Sequence, residues 1–114
     1  MAESCIFCRI LSGEIPGQFV YQDEHVAAFR DIHPVAPVHV LVVPREHVES
    51  LAKATPGQRD LLGRLLEAAA QVARQEQLAD KGYRTVINTG VESGSEVAHL
   101  HVHVLGGRQM RAMG

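Results

Sequence analysis

Six consecutive residues near the C-terminus, His99-Leu100-His101-Val102-His103-Val104, alternate imidazole and aliphatic side chains without a break, and Leu105 follows. A period of two belongs to extended chain, where successive side chains point to opposite faces; a helix would scatter the same residues around its circumference. His99, His101 and His103 are therefore expected on one face of a strand, each roughly 7 Å from the next, with Leu100, Val102 and Val104 on the other. Crowding disfavours full protonation of residues whose reference pKa is about 6.5, so neutral rings able to act as nucleophile, base or metal ligand are expected. A His-rich strand turned idly to solvent is the bland alternative; the uniformly aliphatic opposite face speaks for a strand with a core behind it.

The rest of the chain supplies that core. Ile6, Phe7, Ile10 and Leu11 recur at spacings of three and four behind Ser4 and ahead of Gly13, which predicts a short helix over 4–12 capped by Ser4. Phe19–Tyr21 and Val26–Phe29 flank the polar Gln22-Asp23-Glu24-His25, the pattern of a hairpin. Val38–Val43 is apolar on both faces except for His39 and reads as a central strand ended by Pro44.

Thr55-Pro56-Gly57-Gln58 opens a long helix as a cap, a first-turn proline and a capping-box glutamine. Leu61, Leu62, Leu65, Leu66, Ala69, Val72 and Ala73 then form its apolar face, and Asp80-Lys81-Gly82 is expected to end it. Tyr83–Asn88 reads as a strand, 89–96 as a glycine-containing loop, and Val97–Leu105 as the histidine strand. The fold class is α+β, with about five strands, one long helix and one short one, in a single domain spanning 1–114.

Composition narrows the function. With 11 basic and 13 acidic residues and a net charge of -2, there is no broad cationic surface for nucleic acid. The longest aliphatic run, Val40 to Val43, is too short for a membrane span, and the first residues lack a secretory pattern, so a cytoplasmic protein is expected. Cys5 and Cys8 are too close in sequence to staple much of the chain, which favours thiols or metal ligation over a structural disulfide.

The alternating segment, with His99, His101 and His103 separated by single hydrophobic residues, resembles the signature of the histidine triad, or HIT, family. Cys5-Ile6-Phe7-Cys8, Gly13-Glu14-Ile15-Pro16, Phe29-Arg30-Asp31-Ile32, Val43-Pro44-Arg45-Glu46-His47, Lys81-Gly82-Tyr83-Arg84, Asn88-Thr89-Gly90 and Gly106-Gly107-Arg108-Gln109-Met110 resemble its nucleotide-binding Hint branch in order and spacing. The resemblance covers roughly residues 4 to 110.

It implies a HIT-like fold with an antiparallel sheet, in a homodimer that pairs two five-stranded sheets. It also implies hydrolysis of purine nucleoside 5′-phosphoramidates, with AMP-type nucleotides as ligands. His101 would attack the α-phosphorus to give a covalent nucleotidyl-histidine. His103 and His39 would donate to phosphoryl oxygens and assist the leaving group, with His99 completing the catalytic set. Two-step displacement by a neutral nitrogen nucleophile is sound chemistry for an anionic phosphorus centre. Asp31 would take the ribose hydroxyls. Phe7, Ile10, Phe29, Ile32 and Leu41 would form the slot for the base, and Asn88, Gly94, Ser95 and Val97 would meet the phosphate. Read without the resemblance, those apolar residues are ordinary core, Asp31 is a turn residue, and His39 is a satisfied core histidine.

No cofactor is required for that catalysis. Zinc-containing members of the wider superfamily suggest a structural zinc held by Cys5, Cys8, His47 and His99, against which stand two reduced thiols beside a surface His47. Three features depart from the animal Hint pattern: Glu96 at a position often holding a small hydroxyl residue, Ala98 before the triad, and the tail Arg111-Ala112-Met113-Gly114, which lacks aromatic and proline residues. A diadenosine polyphosphate hydrolase, a non-catalytic nucleotide-binding or scaffold module and a zinc-binding structural protein are the competing readings.

Overall fold

The computed structural model describes residues 4–94 and 97–113. Its elements are α1 (Ile6–Leu11), β1 (Phe19–Gln22), β2 (Val26–Arg30), β3 (Val38–Pro44), α2 (Arg59–Gln75), β4 (Arg84–Val86) and β5 (Val102–Gly106). The strands form one sheet in the order β1-β2-β3-β5-β4, antiparallel at each junction. The hairpin between β1 and β2 turns on Asp23, whose Oδ1 accepts from the backbone N–H groups of His25 and Val26 at 2.8 Å each; this is the local bond that makes Asp a turn residue.

The period of two divides the sheet into two working faces. Val26 and Ala28 of β2, Val40 and Val42 of β3, and Val102 and Val104 of β5 point to the side covered by Leu65, Ala68, Ala69, Val72 and Ala73 of α2. Complete burial of each such valine or leucine contributes about 1.5–3 kcal/mol, so this layer is the main source of stability. Phe29, Leu41 and Val43 point to the other side, against Cys5, Phe7 and Ile10 of the α1 segment. That face is only partly covered, and the uncovered part becomes the site.

Five expectations need correction. The cap of α1 is Cys5 rather than Ser4, its Sγ accepting from the Cys8 backbone N–H at 3.3 Å. Leu66 is 55% exposed and lies off the buried stripe, while Ala68 joins it. α2 stops at Gln75, five residues before Asp80. Gln77 takes the left-handed conformation at φ 63°, and Leu78 N–H reaches Ala73 O at 2.8 Å while Gln77 N–H reaches Arg74 O at 3.1 Å; this is a Schellman closure with glutamine at the glycine position. The fourth concerns the histidine strand, which begins its ladder at Val102 rather than Val97. Leu100 N–H is taken by Val48 O at 2.6 Å, outside the β3 pairing, so the segment carrying His99 and His101, which bends at Ala98 and His99, leaves the sheet. At the other sheet edge β4 is three residues long rather than six.

Candidate active site

The open part of the second face is a cavity of about 1040 Å³. Its lining includes Phe7 and Ile10 from α1, Phe29 from β2, Leu41 from β3 and His103 from β5, with Asp31, Ile32, Asn88, Gly94, Val97 and His101 from the connecting segments. Each was a candidate from sequence. Ser95 and Glu96 lie outside the described residues. Ile32 lines the mouth with 80% of its surface exposed, unlike the buried Phe7, Phe29 and Leu41. Phe7 sets the apolar wall, edge-on to Phe29 at 5.5 Å and to the His101 ring at 5.1 Å between centroids.

Sequence reasoning missed Gln18, Arg30 and His33, which also line the cavity. Arg30 is held by a two-pronged pair with Glu76 at 2.9 and 3.0 Å, a contact across 46 residues for which no local pattern gives a signal. Gly17 had a readable signal in being a glycine beside a strand: a Cβ there would stand 2.6 Å from Ile10 Cγ2, so only glycine lets this wall approach α1.

His99, His101 and His103, expected on one strand face, do not share it. His101 and His103 face the cavity with centroids 4.9 Å apart, His39 stands behind His103, and His99 turns away, fully buried, towards the cysteines. Backbone partners fix the proton positions. The Pro44 carbonyl, 2.9 Å from His99 Nε2, can only accept, so His99 carries its proton on Nε2 and leaves Nδ1 bare. Likewise the His99 carbonyl accepts from His101 Nδ1–H at 2.7 Å, so the neutral His101 ring presents the Nε2 lone pair.

A third backbone contact runs the other way. Val35 N–H donates to His39 Nδ1 at 3.1 Å, so the His39 proton is on Nε2. His39 Nε2–H then meets His103 Nδ1 at 2.9 Å, with Asp31 Oδ2 at 3.3 Å, and His103 must carry its own proton on Nε2. Both ring nitrogens of His39 are engaged, Nδ1 by Val35 N–H and Nε2 by His103 and Asp31, so neither is left to donate to a bound anion. Burial lowers the pKa of His39, against the attraction of Asp31. Burial, then repulsion from His101 and His39, takes His103 down to about 4.

On the far side of His99 lies a second constellation. Cys5 Sγ is 3.2 Å and Cys8 Sγ 3.6 Å from His99 Nδ1, Cys8 Sγ is 3.3 Å from His47 Nδ1, and all four donor atoms fall within 4.8 Å of one another. A tetrahedral zinc, with bonds of about 2.3 Å to sulfur and 2.0–2.1 Å to nitrogen, spaces its donors by roughly 3.5–3.8 Å. The donor set fits. The Pro44 bond also keeps the His99 ligand nitrogen unprotonated, as an outer partner of a metal site does. Burial pushes His99 down to about 4, while burial and then Cys5 push the metal-free Cys8 thiol up to about 11. Asp31, His39 and His103 also bring three donor atoms together, but there the proton on His39 Nε2 occupies the nitrogen a metal would need.

A family model described as HIT domain matches residues 12–110. The chain belongs to the HIT family. This HIT protein is 44% identical over 113 residues to the purine nucleoside phosphoramidase of Escherichia coli strain K12, covering 99% of this chain and 95% of that protein. It is 51% identical over 107 residues to the 14 kDa zinc-binding protein of Brassica juncea, covering 92% and 94%. Its HIT fold superposes on the HIT family hydrolase from Clostridium thermocellum with a TM-score of 0.94 at 42% identity, covering 97% and 96%. Among the described residues no helix is long and apolar enough to cross a membrane.

Proposed function

We propose that this chain is a nucleotide hydrolase that cleaves the P–N bond of purine nucleoside 5′-phosphoramidates through a nucleotidyl-histidine. The observation that carries the reading is the 2.7 Å bond from His101 Nδ1–H to the His99 carbonyl, which aims a bare Nε2 into an apolar-walled cavity beside an N–H donor on His103. The phosphoramidase relative, alike over the whole chain, supplies the substrate class.

In this reading Phe7, Ile10, Phe29, Ile32 and Leu41 hold the base, Asp31 the ribose, and Asn88 with the segment Gly94–Val97 the phosphate. His101 Nε2 bonds to phosphorus as the P–N bond breaks. The amine leaves with the bonding pair and one proton, passed from His103 Nε2–H as the His103–His39 pair, having taken up a proton from solvent, returns to neutral. Water then attacks the same phosphorus, releases one proton to solvent through His103 and expels His101 as free base, so that nucleoside monophosphate and amine are the products. Burial keeps His103 and His39 neutral at physiological pH, and a positioned acid of this kind contributes about 10²- to 10⁴-fold.

Zinc at Cys5, Cys8, His47 and His99 is part of the proposal as a structural ion, tying α1 to the segment before β5. His99 spends its side chain there and serves His101 through its backbone carbonyl. A single-domain protein in the cytoplasm, paired as a homodimer through the outer sheet edge at β4, completes the reading. The deciding experiment is hydrolysis of adenosine 5′-phosphoramidate by wild type and His101→Ala, with AMP affinity measured in both. Turnover lost in the variant while binding survives supports the mechanism; binding without turnover in the wild type would make the chain a nucleotide-binding module.

A further inference from the structure

The segment after β5 doubles back over the loop between β2 and β3, outside the cavity lining. Gly107 makes the turn at φ 95°, so close to Pro37 that a Cβ would lie 2.8 Å from the proline Cβ. Arg108 Nη2 donates to the Val35 carbonyl at 3.0 Å, and Arg84 Nη2 donates to the Arg111 carbonyl at 2.8 Å. The tail is thus fastened at two points, one on the loop and one on β4.

Val35 is the point of consequence. Its carbonyl takes Arg108 while its N–H reaches His39 Nδ1 at 3.1 Å. Its own side chain is 64% exposed, so packing does little to hold this residue in place. The other hydrogen bonds of the loop, Asp31 N–H to His39 O and His33 N–H to Asp31 Oδ1, leave the Val35 carbonyl untouched. If the Val35 N–H moved away, the Asp31 carboxylate, 3.3 Å from His39 Nε2, would be the one remaining hold on the His39 proton at that nitrogen. His39 Nδ1 could then hold it, His39 Nε2 would accept, and the His103 proton would be drawn back to Nδ1, away from the substrate side.

We propose that Arg108 is a positioning residue for the phosphoramidate reaction: by holding the Val35 carbonyl it keeps the Val35 N–H on His39 Nδ1, and with it the proton of His103 on Nε2. The inference rests on the functional reading above, and its effect is exerted through Val35 and His39 without contact with substrate. It assigns to the Gly107-Arg108 turn a role in proton placement, in addition to any part in stability.

The test compares wild type, Arg108→Met, Arg108→Lys and Arg84→Met, using adenosine 5′-phosphoramidate kinetics and ¹⁵N NMR of the imidazole nitrogens. Arg108→Met should lose roughly 5- to 30-fold in kcat, part of the ~10²- to 10⁴-fold worth of a positioned acid, with KM within about twofold by the same reasoning. Its His39 and His103 signals should move from single tautomers to mixtures, and Arg108→Lys should restore part of both. Arg84→Met frees the other end of the tail and should leave kcat and tautomers as in the wild type. Unchanged tautomers in Arg108→Met, a loss carried by KM, or an equal effect of Arg84→Met would overturn the proposal. If Arg108→Met does not fold, Arg108→Gln carries the same readouts. A wild type without turnover would sink the functional reading, while the nitrogen spectra still decide whether Arg108 sets the tautomer.

Discussion

The ring of His101 is hydrogen-bonded to the backbone of His99, Nδ1–H to carbonyl oxygen at 2.7 Å, while the ring of His99 points the opposite way into the Cys5–Cys8 cluster. Two alternate residues of one short segment therefore face two different clusters, and the peptide between them links the clusters mechanically.

The first prediction concerns His101 itself. His101→Ala should reduce phosphoramidate turnover by at least ~10³-fold, because the covalent route loses its nucleophile, while AMP affinity falls by no more than about tenfold, the apolar wall of Phe7, Phe29 and Leu41 remaining in place. Residual turnover near the wild-type rate would remove His101 from the mechanism.

A metal analysis gives the second. Protein purified without chelator should carry about one zinc per chain, and Cys8→Ser should lower both zinc content and Tm, since a structural zinc contributes folding energy directly. Chelation should also broaden the His99 ring signals. Chelator-treated protein that keeps the wild-type Tm would refute the structural role.

Acid should destabilise the fold in a defined window. The His103 pKa is held down to about 4 and that of His39 is also lowered, both chiefly by burial, whereas the unfolded chain titrates near ~6.5. Between those values the unfolded state binds protons that the native state does not, so stability is full above about 6.5 and is lost as pH falls towards 4. The urea midpoint should drop across that interval, and His103→Gln should make the slope shallower. An equally steep slope in the variant would contradict the assignment to His103.

The end of α2 offers a stabilising change. Gln77 holds a left-handed conformation at φ 63° that glycine adopts without steric cost. Gln77→Gly should raise stability by about 0.5–1 kcal/mol, read from the urea midpoint at constant m. A lower midpoint would mean that the entropy glycine adds to the unfolded chain outweighs the relief of strain.

Much of this was legible in the sequence, for reasons that particular residues make clear. The β1–β2 hairpin and β3 were readable because Asp23 and the Val38–Val43 run act through local rules, and the division of β5 into two faces followed from its period. The cavity residues Phe7, Phe29, Asp31 and Leu41 could be named only through the family resemblance; periodicity alone would have left the three apolar ones in the core and Asp31 in a turn. What escaped was set by distant partners. Val48 O captures Leu100 N–H and pulls His99 and His101 out of the ladder, Cys5 takes the cap from Ser4, and Gln77 accepts a conformation that residue preference assigns to Gly82. No window along the chain contains those pairings.

The alternation of His103 with Val102 and Val104 in β5 also constrains how the molecule can fail. A slip of one residue between β3 and β5 would turn His103 into the layer under α2 and bring Val102 and Val104 to the cavity. Such a chain would lose its core and its chemistry in the same step, so a misregistered but still active form has no place to exist, and turnover doubles as a readout of correct strand pairing.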